Sequence, residues 1–263
     1  MEKIDQILLN IYTILDRAVE FFKHITRLEI MTKINEMSRK IHSSLIVLAM
    51  VFVAIFGIYF SIQLGGGQPI GAAVLSILGF FVISYLAKDF HGACESLISA
   101  NGTTLSNHAI LRFSAIVSVL AAALLFILFL ASFFKGEISD SIMFLFYALL
   151  LYMSAGTLFN PSLININVSS DSSSGEDFIT IFSSGLKTFV YFERIISSVL
   201  ILSGTIRFIE IILGFRDPII DVTMAFGLIA AGIGFPLLAY LSFTILWFVN
   251  SLLLSILSLR RNP

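Results

Sequence analysis

Over the first 25 positions apolar residues fall at Ile4, Leu8, Ile11, Leu15, Ala18, Phe22 and Ile25, in steps of four and three with charged residues between them. That spacing predicts an amphipathic helix with a single apolar stripe. The stripe suits a membrane interface or a partner protein equally well. Beyond it the pattern changes to long, almost uncharged runs at 44–64, 69–87, 113–134, 139–159, 195–215 and 222–259. A bilayer core of about 30 Å takes about 20 apolar residues as helix, so each run predicts a transmembrane helix. The last run is too long for a simple span. It contains "GIGFP" at 232–236, where proline removes a backbone donor and a helix can bend; the alternatives are such a bend or a long helix projecting beyond the bilayer, and one long helix is preferred.

The runs also repeat. Tyr85, Tyr152 and Tyr240 each precede Leu or Met and then Ala or Ser, and ten or eleven residues later Ser96, Ser162 and Ser251 each open a Ser-Leu-Ile/Leu triplet. Each tyrosine ends the second helix of a predicted hairpin, so the three hairpins read as copies of one unit. The expected fold is therefore an all-α integral membrane protein of six transmembrane helices in three helical hairpins. Its segments are an amphipathic helix at 1–43, hairpins at 44–99 and 100–165, a Ser-rich loop at 166–188, and a third hairpin at 189–263. Mitochondrial carriers share a three-hairpin plan, but their proline and acidic signature is absent after every odd helix here, so the chain is assigned to no family.

Composition supports the membrane reading: 57% of residues are hydrophobic and 13% charged, against about 25% charged in soluble domains. Thirteen lysines and arginines fall on one side of the predicted membrane, while Lys135 and Arg216 are alone on the other. This bias predicts both termini in the cytoplasm, in a membrane such as the bacterial cytoplasmic one. The acidic Glu2 and Asp5 argue against a secretory signal peptide. A net charge of −1 gives nucleic acid no electrostatic footprint, and the single Cys94 excludes an internal disulfide.

Candidate chemistry is sparse. Arg207 and Glu210 lie inside an apolar run, on one helical face with Ser203, Gly204 and Gly214. Charges at that depth cost roughly 2.5–3.5 kcal/mol each unless they face protein, so this face is expected to contact other helices, as a structural ion pair or as the lining of a polar path. His91, Cys94 and Glu95 share a helical face but lack a fourth metal ligand. His24, His42 and His108 read as solvated. The glycine-rich "LGGGQPIG" at 64–71 reads as a turn, since the rest of a phosphate-binding motif is missing. Ala230 and Gly234, four apart, permit close helix approach. Asn101 and Asn167 match glycosylation acceptors in form but fall on the predicted cytoplasmic side.

The sequence therefore points to no catalytic, cofactor or metal residue. The leading expectation is a non-enzymatic subunit that anchors a membrane complex, with the bilayer and other membrane subunits or further copies of itself as partners. An oligomeric channel or small transporter using Arg207 and Glu210 is second, and a membrane enzyme third.

Overall fold

A computed structural model describes residues 13, 16–17, 19–135, 138–169, 174–215 and 218–259. Its long helices are α1 Leu28–Leu64, α2 Gln68–Ala100, α3 Ala109–Lys135, α4 Ile138–Phe159, α5 Ser174–Tyr191, α6 Glu193–Ile212 and α7 Pro218–Leu259. All but α5 are long and apolar enough to cross a membrane. Two short strands, β1 Thr103–Leu105 and β2 Ile166–Val168, pair in parallel with Thr103 opposite Ile166. This ribbon is an addition to the expected all-α architecture.

The chain divides into two compact units, Met1–Ile34 with Gly102–Thr188 and Asn35–Asn101 with Phe189–Pro263. The first expected hairpin thus shares a unit with the third. The second shares one with the N-terminal segment and the Ser-rich region.

In the first unit α3 and α4 pack along their length, with Ala115 and Val119 buried against Ala155. The described end of the N-terminal helix, residues 19–25, adds Phe22 to this cluster. Tyr152 donates its hydroxyl to the Ile25 carbonyl at 2.7 Å, and the Asn160 amide donates to the Thr26 carbonyl at 2.6 Å. The amphipathic stripe therefore has a partner within its own chain where it is described. Ile4, Leu8, Ile11, Leu15 and Ala18 lie outside the described residues. Residues 28–43 do not continue that helix: a break at Thr26 and Arg27 separates them, and they form the first turns of α1.

Helix α4 stops before Asn160-Pro161, as proline's restriction on its predecessor requires, and a single 3-10 turn, Pro161–Ile164, leads into β2. Asn165 between them takes the left-handed conformation, φ 52°, which asparagine tolerates better than most residues. The expected Ser-rich loop is largely wrong. Residues 170–173 lie outside the described residues, but α5 begins at Ser174, with Glu176 and Asp177 in its first turn where the helix dipole favours acids. Its polar side is fastened to the ribbon. Asp177 accepts from the Ser106 backbone N–H at 2.7 Å and from the Ser106 hydroxyl, and Thr180 donates to the Thr104 carbonyl.

The second unit is built around α6, with a core of Ala49, Val53 and Phe56 from α1, Ala73 and Phe80 from α2, Ile201, Phe208 and Ile211 from α6, and Ala225, Ile229 and Ile233 from α7. Buried residues make up 44% of the apolar window of α6 but 17% of that of α2, so α6 is the central helix and α2 shows most of its apolar surface. Helices α1 and α2 meet near their turn, where Gly57 admits Ala73 and the Pro69 carbonyl, whereas α2 makes its extended contact with α7. Helix α7 runs unbroken through Pro236. Proline there cannot bond the carbonyl four residues back, that of Gly232, and the Ser197 hydroxyl of α6 donates to it instead.

Candidate functional site

A buried polar cluster gathers at the start of α6. Glu193 and Arg194 are buried there, followed one turn later by buried Ser197 and Ser198. His91 of α2 lies 2.7 Å from Glu193 through Nδ1, and Arg194 pairs with Glu95 at 2.7 Å and with Glu193 at 3.5 Å. Arg39 of α1 reaches Glu95 at 3.1 Å. Buried His42, also on α1, packs edge-on against His91 with ring centroids 4.9 Å apart.

Proton counting fixes the His42 tautomer. Ser197 gives its hydrogen to the Gly232 carbonyl and Ser198 gives its own to the Arg194 carbonyl. Both hydroxyl oxygens can then only accept from His42 Nδ1, 3.3 Å from each. His42 therefore donates through Nδ1.

The cluster borders a cavity of about 600 Å³, lined on its basic side by Arg39, His42, Lys88, His91 and Arg194 and on its apolar side chiefly by Ile46, Val47, Met50, Phe81 and Ile233. The sequence offered His91, Cys94 and Glu95 as a shared helical face, and the structure sends them to different partners. His91 turns to Glu193, Glu95 to the two arginines, and buried Cys94 donates to the Pro236 carbonyl at 3.7 Å. His42 is buried instead of solvated. Glu193 and Arg194 carried only the weak signal of charges abutting an apolar run.

Part of the polar face of α6 meets another helix, while Gly214 is exposed. Gly204 lies against Ala225 and Ile229 of α7, and Arg207 donates to Asp221 of α7 at 2.7 Å. Where the i,i+3 spacing offered Glu210, the structure gives Arg207 an inter-helix partner. Glu210 lies half-buried on the same helix. Removing one member of such a pair costs more than removing both. Arg207→Leu should therefore lower the melting temperature in detergent, and Arg207→Leu with Asp221→Leu should recover most of the loss, as a thermal-shift series would show.

The tyrosine anchors sit in three different surroundings. Tyr85 is 72% exposed at the cavity rim, Tyr152 bonds Ile25, and Tyr240 stacks edge-on with Phe90 at 5.4 Å. Ser96 and Ser251 bond carbonyls one turn back in their own helices, at Gly92 and Trp247, and Ser162 is exposed in the 3-10 turn. Of the expected close-approach pair Ala230 and Gly234, Ala230 packs on the core while Gly234 faces Ile83. Among the glycines of α7 the tightest contact is at Gly232.

One buried group in the first unit was missed altogether. Lys187 of α5 is fully buried, and its ammonium donates to Thr103 Oγ1 at 3.0 Å and to the Asn165 carbonyl at 3.1 Å. Burial pulls its pKa down to about 8. Compared with family models, curated proteins and solved structures, the chain matches none.

Proposed function

We propose that the chain is a non-enzymatic integral subunit that anchors a larger membrane assembly, and that the outer face of α5 is where its partner docks. The observation that carries this reading is the inversion of that helix. Asp177, Thr180 and Lys187 bond the ribbon on one side, while Phe178 and Phe182, one turn apart, are 68% and 50% exposed. A helix that hides its polar groups and displays aromatic rings needs a cover for them, and aromatic anchors concentrate at the centres of protein interfaces. The proposal places both termini and α5 in the cytoplasm, on the strength of the lysine and arginine bias. The three-hairpin repeat belongs to it on sequence spacing alone. The partner is another membrane subunit, and no cofactor or nucleic acid is involved.

Gently extracted protein should co-migrate with a second membrane protein in fixed ratio. Phe178→Ser with Phe182→Ser should migrate alone at unchanged thermal stability. A monodisperse wild-type monomer would overturn the reading, and a homo-oligomer split by the same substitutions would replace the partner with a second copy. An oligomeric channel or small transporter is favoured by the run of buried His42, part-buried His91 and buried Glu193 more than by Arg207 and Glu210. Proton flux in proteoliposomes, lost in His91→Phe, would establish it.

A further inference from the structure

We infer that the cavity between α1 and α2 is a binding site for one anionic phospholipid, its headgroup at the basic end and the start of an acyl chain along the apolar end. Both helices carry the same gradient. On α1 the lining passes from Arg39 and His42 to Ile46, Val47 and Met50, and on α2 from His91 and Lys88 to Tyr85 and Phe81. Eleven residues of helix span about 16 Å, and because the chain turns back at 65–67 the two gradients point the same way. The basic positions lie outside the apolar runs 44–64 and 69–87, and the apolar ones lie within them. The change of polarity in the cavity therefore falls at the hydrocarbon boundary of any membrane these runs cross, the level of a phosphodiester.

Charge supports the sign of the ligand. Arg39, Lys88 and Arg194 line the cavity and no carboxylate does. Glu95 and Glu193 stand behind, engaged with Arg39, Arg194 and His91. Lys88 has no ion-pair partner among the described residues and is exposed, so it is the cation available to an incoming phosphate. Basic pockets between transmembrane helices on the cytoplasmic side take anionic headgroups. A soluble anion would leave the apolar half wet, where Val47 and Phe81 are 63% and 66% exposed; a zwitterionic lipid would leave the Lys88 charge less well matched. The volume lies within the usual range of small-molecule sites.

The test is native mass spectrometry of the full chain released from nanodiscs of mixed phosphatidylglycerol and phosphatidylcholine. The wild type should retain one phosphatidylglycerol in preference to phosphatidylcholine, and added inorganic phosphate should not displace it. Lys88→Ser, which removes one charge-assisted contact, should weaken retention about tenfold. Val47→Trp, which fills the apolar end and leaves every basic group in place, should abolish it. Equal retention of the two lipids, displacement by phosphate, or retention unchanged in both variants would overturn the inference.

Discussion

Gly232→Leu should leave almost no folded protein. A Cβ at this position would lie 2.8 Å from the Ser197 carbonyl oxygen, 2.7 Å from Ile201 Cγ1 and 2.9 Å from the Ile201 nitrogen. Two of those atoms are backbone of the central helix and cannot rotate away, so α6 and α7 must separate. Separation also breaks the bond from the Ser197 hydroxyl to the carbonyl that Pro236 leaves open. Overpacking alone costs about 3 kcal/mol at the upper end of its usual range, a large part of the roughly 5–15 kcal/mol that holds a domain folded. Gly227 lies on the same helix with nothing within 4 Å of its Cβ position, so Gly227→Leu should elute as the wild type does. Size-exclusion profiles of the two variants in mild detergent compare them directly. A normal profile for Gly232→Leu would mean the helices are not in that contact.

Raising the pH should stabilise the protein through Lys187. Its pKa falls from 10.5 in the open chain to about 8 in the fold, so between those values the unfolded chain holds a proton that the folded chain has released. Stability therefore rises with pH across this window and is lowest below pH 8, where the buried ammonium stays charged. The full span corresponds to about 3 kcal/mol. Melting temperatures from about pH 7 to about pH 9 should climb in the wild type and climb less in Lys187→Met, with the difference isolating this group. Readings stop there because burial, and secondarily Glu95, push the Tyr191 phenol upward, and a raised acid loses stability as pH passes its own range. Equal slopes in the two proteins would contradict the burial of Lys187.

The membrane-length helices were legible because their signal is one-dimensional: some 20 residues without charge can be counted along the chain. The continuity of α7 through Pro236 was also readable as a preference for one long helix. Its cause was not, since the hydroxyl that mends the gap belongs to Ser197, 35 residues earlier. The polar cluster was hidden for the same reason, with His91 meeting Glu193 across 102 residues and His42 meeting Ser197 across 155. Helix α5 was hidden by composition. "NVSSDSSSGED" reads as loop, and the polar residues that follow look solvent-facing until the ribbon appears to receive them. Arg207 shows the limit of spacing arguments, which offered a partner on the same helix where the structure gives Asp221 of α7.

Photocrosslinking from position 182 tests the docking face most directly. With a benzophenone amino acid in place of Phe182 in otherwise intact cells, irradiation should shift the chain into one discrete heavier protein band, absent when the same group replaces exposed Phe134 on α3. Adducts to lipid alone, or the same band from both positions, would contradict a partner-binding role for α5.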